Sequence, residues 1–286
     1  MNRCLVGVGA ISAVCAACTI ASAVLAQTPA GPKQVAGLSY DLRMTSAPTA
    51  GTGLAEAMGN VAQSYTGHAV FAGTRGRLDI LEGGLPQLFA KGDYLIFDST
   101  GITIVRPASR EYLPLSAELG SKAFEQLQAM GVSMNVADLK VAMDSLAGAD
   151  TIAGYPTRHF RMTLAFTMSI DASFMQQRLA TESITDYWVA NVPGLPSNPL
   201  LRVNAMPASP APIGAFKDLS AKVDSAAARL GGAAALRTKT VSRLIQGPGA
   251  STTTEQTSEV SNIQRASIDA TSLIVPAGYR RTSIGG

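Results

Sequence analysis

Histidine, the side chain that most often moves protons in enzymes, occurs only at His68 and His159 in this chain of 286 residues. A nucleophile–base–acid triad would need one of them, and no Gly-x-Ser-x-Gly turn is present to expose a serine nucleophile. His159 lies beside Arg158 and Arg161 on the polar face of a predicted strand, which is typical of a solvated histidine. His68 begins another predicted strand, and the same interpretation applies. The sequence therefore predicts no catalytic residue.

Metal-binding and phosphate-binding patterns are also missing from the sequence. It has no cysteine pair, no His-x-x-x-His and no Asp-x-Asp-x-Asp-Gly loop, so we expect neither a metal nor a cofactor. Five acidic residues fall in neighbouring predicted strands or turns: Asp79, Glu82, Asp93, Asp98 and Glu111. A suitably spaced carboxylate pair hydrolyses glycosides, which leaves a hydrolase as one alternative. Acids at such positions are more often solvated charges that discourage aggregation of sheet edges.

Residues 1–26 have the composition of a signal peptide. Arg3 is followed by an apolar stretch from Leu5 to Leu25, and Val24-Leu25-Ala26 supplies the small residues that a signal peptidase reads. The sequence thus predicts cleavage near Ala26 and a periplasmic or secreted protein that begins at Gln27.

All three cysteines fall inside this leader, at Cys4, Cys15 and Cys18, so the predicted mature chain has no disulfide and no thiolate metal site. Two alternatives remain open. The leader could stay as a membrane anchor, since a span needs about 20 apolar residues. It could also be a lipoprotein leader, with Cys18 as the lipidated residue. The polar stretch from Gln27 to Lys33 favours cleavage.

The composition of the mature chain excludes several classes of partner. Removing 26 leader residues from 286 leaves 260, and loss of Arg3, the only leader charge, lowers the net charge from +3 to +2. This mild balance, without a basic run or a basic and aromatic stripe, predicts no nucleic-acid binding. No second apolar run approaches membrane-spanning length, so no membrane span is expected in the mature chain.

Alternating apolar and polar residues predict a β-rich α+β protein. Residues 27–37 read as a flexible lead-in, and 38–286 as a single domain with helical insertions near 116–147 and 212–231. Leu38–Thr45 alternates with a period of two, which indicates a half-buried strand. Further strands are predicted at Asp93–Phe97 and Ile102–Val105 (a hairpin), Arg110–Leu113, Arg158–Ile170, Ser183–Val192 and, as a second hairpin, Thr238–Asp269.

Three helices are predicted from apolar residues at helical spacing. The first begins at Ser116 and ends at Gly131, and the second is capped by Asn135 and ends at Gly148. The third carries Ile213, Phe216, Leu219, Val223, Ala226 and Leu230 on one face.

An apolar groove is suggested by the many methionines at inward positions together with the envelope leader, because methionine adapts to varied apolar partners. The predicted ligand-lining residues are Phe97, Ile104, Phe160, Met162, Leu164, Phe166, Met168 and Trp188. Trp188, the only tryptophan, is expected to be largely buried.

The order of several short motifs resembles LolA-like (lipoprotein-carrier-like) half-barrel envelope proteins and a related family of secreted domains of unknown function. The motifs are Lys91–Asp98, Ile104–Pro107, Arg110–Tyr112, Ile152–Tyr155, Tyr187–Val189 and Val275–Tyr279. The resemblance implies a curved antiparallel sheet, an open half-barrel with helices on its concave face, that shelters a cavity for lipid or lipidated partners. The Ala-rich insert near 207–236 departs from the pattern, and no arginine counterpart of the carriers is present, so no binding residue is carried over.

Two non-enzymatic functions follow. The first is a periplasmic or secreted protein that binds a lipid or acyl chain in a half-barrel cavity. The alternative is an envelope interaction or structural module whose core is filled, with a protein partner and no small-molecule ligand. The first predicts a cavity lined by the strands Arg158–Ile170 and Asp93–Val105, and the second predicts side chains interdigitated at ordinary interior density.

Overall fold

The first alternating segment forms a long strand, β1 (Gln34–Gly51). Its predicted inward residues Leu38, Tyr40, Leu42 and Met44 are all buried, which confirms both the strand and its buried face. The computed structural model of the chain describes residues 33–51, 63–85, 88–98, 101–115, 128–172, 175–195, 214–247 and 250–283.

The other elements of the described residues follow in chain order. The strands are β2 (Gln63–Ala72), β3 (Arg75–Leu85), β4 (Phe89–Ala90), β5 (Tyr94–Asp98), β6 (Gly101–Arg106), β7 (Glu111–Leu115), β8 (Ser133–Leu146), β9 (Thr151–Ile152), β10 (Tyr155–Pro156), β11 (Arg158–Ala172), β12 (Met175–Ala190), β13 (Ala234–Gly247), β14 (Ala250–Asp269) and β15 (Arg280–Arg281). One complete helix, α1 (Gly214–Ala227), lies between β12 and β13 and continues as a 3₁₀ turn, Ala228–Leu230.

Thirteen of the described strands form one large sheet, in the order β15-β7-β6-β5-β3-β2-β1-β14-β13-β12-β11-β8 with β4 beside β3. Every pairing in it is antiparallel except that of β15 with β7. The two ends of the order, β15 and β8, are not paired with each other, so the sheet is open. A β-rich chain built on an antiparallel sheet is therefore confirmed, as are the two predicted hairpins, now β5–β6 and β13–β14.

The apolar faces of these strands supply three buried clusters. The largest combines the inward residues of β1, β2, β3, β5 and β6 with Ala190, Val192 and Leu236. A second cluster, which we call the α1 cluster, holds Met143, Phe160, Met162, Tyr187, Val189, Leu230, Ala233 and Ala235, with Val223 and Ala226 of α1 packed against it. A third small cluster places Tyr94, Ile96 and Val105 under Val275 and Tyr279 near the C-terminus.

The helix predicted from Asn135 to Gly148 is wrong, because these residues lie mainly in strand β8. Between Ala165 and Thr167 the register of β8 against β11 gains one residue, and Asp138 takes a positive φ of 56° there. This bulge moves the alternation by one position, so that Val136, Leu139 and Met143 end up three and four residues apart. A strand with a bulge thus imitates the spacing of a helix.

The other predicted helices have different outcomes. The third is confirmed as α1 with its 3₁₀ turn, close to the predicted 212–231. Most of the first predicted helix lies outside the described residues; only its last part, 128–131, is described. Several helices on a concave face are not supported: among the described elements α1 alone is a complete α-helix, and it packs near the β8 end of the sheet.

The leader predicted at residues 1–26 lies outside the described residues, as does most of the lead-in. The end of the predicted lead-in lies in strand β1, where Gln34–Gly37 pair with Ala266–Asp269 of β14. Their backbone groups pair with a strand more than 200 positions away in the sequence. A prediction from neighbouring residues alone cannot detect such a pairing. Contacts between residues group Pro32–Gly286 into one compact unit. No described helix is long and apolar enough to cross a bilayer.

Candidate ligand-binding surface

The eight side chains predicted to line one cavity lie in three different surroundings. Phe97 and Ile104, on neighbouring strands β5 and β6, are 4% and 0% exposed inside the largest cluster. Phe160 and Met162 of β11 are buried in the α1 cluster. The sheet order separates β11 from β5 and β6 by several strands. The structure therefore does not bring these four residues together around one space.

Trp188 points to the other side of the sheet from the predicted lining residues of β11. In the β11–β12 pairing His159 lies opposite Trp188, and Phe160 lies opposite Tyr187. Since successive side chains of a strand face opposite sides, Trp188 shares a face with His159, and Phe160 shares the other with Tyr187. Trp188 is partly buried rather than fully buried, and it packs against the largest cluster.

The remaining three predicted residues form part of an apolar surface. Leu164, Phe166 and Met168 continue the face of Phe160 and Met162 along β11, and each is half-buried. Across the pairing with β8 their neighbours are also half-buried and apolar, and we call the whole set the apolar strip: Leu164, Phe166 and Met168 with Val136, Leu139 and Val141 of β8. The α1 cluster covers one end of this surface, where Met143 lies opposite Met162.

Rows of hydroxyl groups lie beside the apolar strip on the same face of the sheet. Ser183 and Ser242 approach with their Oγ atoms 3.1 Å apart, and Thr185 and Thr240 do the same with their Oγ1 atoms. By register, Ser183 lies opposite Leu164 of the apolar strip. Uncharged side chains thus follow the apolar strip across β12 and β13.

The opposite face of β11 and β12 carries an ionic network around Asp186. Arg161 donates through Nε to Oδ1 at 2.9 Å and through Nη2 to Oδ2 at 3.0 Å, and His159 Nε2 lies 3.0 Å from Oδ1. The His159 ring also stacks on Trp188, with centroids 4.5 Å apart. The side chains of His159 and Asp186 are only 17% and 14% exposed, so the prediction of a solvated histidine is wrong here.

The pKa of Asp186 lies below its usual value. Burial by itself would raise the pKa, but the hydrogen bonds from Arg161 and His159 outweigh it. A lowered carboxyl pKa stabilises the fold above the unfolded pKa, about 3.9, and this contribution is lost as the pH falls through the folded pKa.

We expect Asp186→Asn to lower the free energy of unfolding by about 1–3 kcal/mol at pH 7, because it leaves Arg161 without its carboxylate. The difference from the parent should begin to narrow below about pH 4, where Asp186 of the unfolded chain becomes protonated, and should vanish as the pH falls through the lowered pKa of the folded protein. Urea unfolding of both proteins at a series of pH values measures this difference in the free energy of unfolding. Asp171→Asn is the matched control, since Asp171 is exposed near the end of β11. A difference that did not change with pH would contradict the ionic role.

The second histidine has a similar partner. His68 Nδ1 lies 2.7 Å from Oδ1 of Asp41 on the neighbouring strand, and Asn262 donates through Nδ2 to Asp41 Oδ2 at 2.7 Å. These hydrogen bonds, from Asn262 first and then from His68, lower the pKa of Asp41. Asn262 takes a φ of 54° at a bulge in β14, a backbone conformation that asparagine tolerates. The group ties three strands together.

Three of the five acidic residues considered for hydrolysis, Asp79, Asp93 and Glu111, have structural partners. Arg77 binds Asp79 and stacks over the Tyr94 ring at 3.7 Å from its centroid. Asp93 accepts from the Ala90 amide at 2.9 Å, and Arg280 pairs with Glu111. No three of the described His, Cys, Asp and Glu side chains are grouped to hold a metal ion. These contacts fit acids that fasten turns and strand edges.

A cleft of about 350 Å³ lies on β1, β2 and β3, and its lining mixes charged, polar and apolar residues. Arg43, Ser64, Thr66 and Glu82 contribute to its wall. Opposite charges at Arg43 and Glu82 make this cleft a poor site for an acyl chain.

Sequence reasoning missed the two histidine–aspartate pairs. Each joins residues 27 positions apart, on strands whose register no local pattern reveals. The one available signal was the period-two placement of His159 and Arg161, which puts them on one face.

Comparisons with known proteins do not assign a family. The chain matches no protein-family model, and no curated protein matches it.

Proposed function

We propose that this protein is a non-enzymatic periplasmic or secreted binding protein that holds an apolar ligand, such as a lipid or acyl chain. The ligand lies on the apolar strip, within the concavity of a half-barrel sheet. The observation that supports this is the half-buried state of Leu164, Phe166 and Met168, on the same strand face whose other end is buried under α1. A contiguous apolar surface next to a closed core is typical of a binding surface.

The neighbouring hydroxyl rows suit the same ligand. An acyl chain against the apolar strip gains about 25 cal/mol for each Å² of apolar surface removed from water. The half-buried Ser183–Ser242 pair offers hydrogen bonds to an uncharged polar end of that ligand, whereas Thr185 is buried and bonded within the sheet.

The test is native mass spectrometry, with lipid extraction, of the protein purified from its own envelope fraction. We expect an apolar species at near-stoichiometric amount in the parent. It should be lost from Phe166→Ser/Met168→Ser, because two hydroxyls replace large apolar contacts. Ala165→Ser, on the other face of β11, is the matched control and should keep the ligand. The intact mass also tests secretion, since cleavage near Ala26 leaves Gln27 as the first residue.

The alternative is an envelope interaction module with a filled core, and one observation favours it. Phe97 and Ile104, two of the predicted lining residues, are buried inside the largest cluster and expose almost no surface to a ligand. A parent protein that carries no apolar species would contradict ligand binding and favour this alternative.

A further inference from the structure

Strand β8 ends the sheet and leaves one long edge open. It runs for 14 residues, and among the described elements it pairs with β11 alone. Such an edge presents unpaired N–H and C=O groups that can bind another strand.

Two cationic side chains of the helical segment cover part of this edge. Lys222 Nζ donates to the Leu139 carbonyl at 3.5 Å, and Arg229 Nη1 donates to the Met143 carbonyl. The donors are two helical turns apart, about 10 Å, and the acceptors are four strand residues apart, about 13 Å, so one helix can reach both. Burial of Leu230 in the α1 cluster holds the segment in place.

The edge carries a charge pattern that matches itself. Lys140, Ala142 and Asp144 are exposed and share one face of β8. Lys140 and Asp144 form no ion pair with another described side chain, although Asp144 lies opposite Arg161, which binds Asp186. An antiparallel copy of the strand centred on Ala142 would place each Lys140 opposite the other Asp144.

We propose that β8 pairs antiparallel with β8 of a second copy of this chain, Ala142 opposite Ala142, and that Lys222 and Arg229 oppose this pairing. The Met143 carbonyl that Arg229 binds points away from β11, and residues two apart present their backbone groups to the same side. This register sets Val141 opposite Met143 of the second copy. The backbone N–H and C=O groups of these two residues, which point away from β11, then face each other.

Two neighbouring registers, centred on Val141 and on Lys140, are disfavoured by like charges. With Val141 opposite Val141, Asp138 faces Asp144 twice, and with Lys140 at the centre, two lysines meet. A lysine in the middle of an edge thus blocks indiscriminate pairing and permits the register that supplies an aspartate.

A cysteine placed at the proposed two-fold axis tests the register in the parent background. Facing residues of a non-hydrogen-bonded antiparallel pair have Cα atoms about 4.5 Å apart, within the range of a disulfide. In the chain that begins at Gln27, which has no other cysteine, we expect Ala142→Cys to form a covalent dimer on mild oxidation, while Ser133→Cys on the same strand and the parent do not. Absence of the covalent dimer, or an equal yield from Ser133→Cys, would overturn the register.

Sedimentation velocity tests the role of the two cations. Lys222→Met/Arg229→Met should lower the dimer dissociation constant about tenfold. In that variant Lys140→Asp should abolish the dimer, and Lys140→Asp/Asp144→Lys should restore it. If the Lys222→Met/Arg229→Met variant is folded by circular dichroism but stays monomeric at every concentration, the proposal is overturned. It is also overturned if Lys140→Asp leaves the dimer dissociation constant unchanged. If the methionine variant does not fold, the charge exchange is measured on the Ala142→Cys dimer.

Discussion

Replacement of Phe97 by alanine is expected to lower the free energy of unfolding by about 3–5 kcal/mol, the cost of removing a large side chain from a packed core. Phe97 stacks on Phe71, with ring centroids 5.9 Å apart. Gly76 lies opposite Phe97 on β3, and a Cβ there would come within 2.2 Å of the Phe71 ring. The glycine therefore makes room for this aromatic pair.

Urea unfolding of Phe97→Ala measures the loss, and Ile184→Ala is the matched control. Ile184 is 44% exposed on β12, so its truncation should change stability by about 0.5 kcal/mol or less. The ligand content of Phe97→Ala should equal that of the parent. A small loss of stability together with a loss of ligand would mean that Phe97 lines a cavity and that the core at β5 is not filled.

Replacement of Trp188 by alanine is expected to cost about 3 kcal/mol, the lower end of the range for a large aromatic residue because Trp188 is only partly buried. The substitution removes the stacked contact with His159, the Arg237 guanidinium 5.6 Å from the ring, and packing against the largest cluster. Arg237 itself pairs with Glu259 and Asp150, so Trp188 lies where several strands are joined.

Unfolding of Trp188→Ala is followed by circular dichroism, since the chain has no other tryptophan to report fluorescence. Trp188→Phe is the control, because phenylalanine keeps a flat ring against His159 and should recover much of the loss. Equal stability of Trp188→Ala and the parent would show that the stacked pair contributes nothing to the fold.

Local patterns predicted much of this fold because the facing of side chains along a strand is a local property. The alternation at Leu38–Met44 identified β1 and its buried side, and the turn residues around Ser99 identified the β5–β6 hairpin. The helix α1 was also predicted, from apolar spacing alone. In each case the period of the apolar residues follows from backbone geometry that involves only near neighbours.

The same reasoning failed where a single residue changed the period. At Asp138 an inserted residue moved the apolar positions of β8 to helical spacing, and a strand was predicted as a helix. Distant pairing explains the other differences: β14 orders the end of the lead-in, and it supplies Asn262 to Asp41. No local signal marks either event.

Sequence patterns were enough to predict that this chain is β-rich, which strand faces are apolar, and that it lacks the usual patterns of catalysis and metal binding. The tertiary structure sets which apolar faces meet. It buried Phe97 and Ile104 in a core, turned Trp188 away from Phe160, and left Leu164, Phe166 and Met168 half-buried. The reason is physical: alternation sets the two sides of each strand, whereas strand order, register and bulges arise from backbone hydrogen bonds between distant segments.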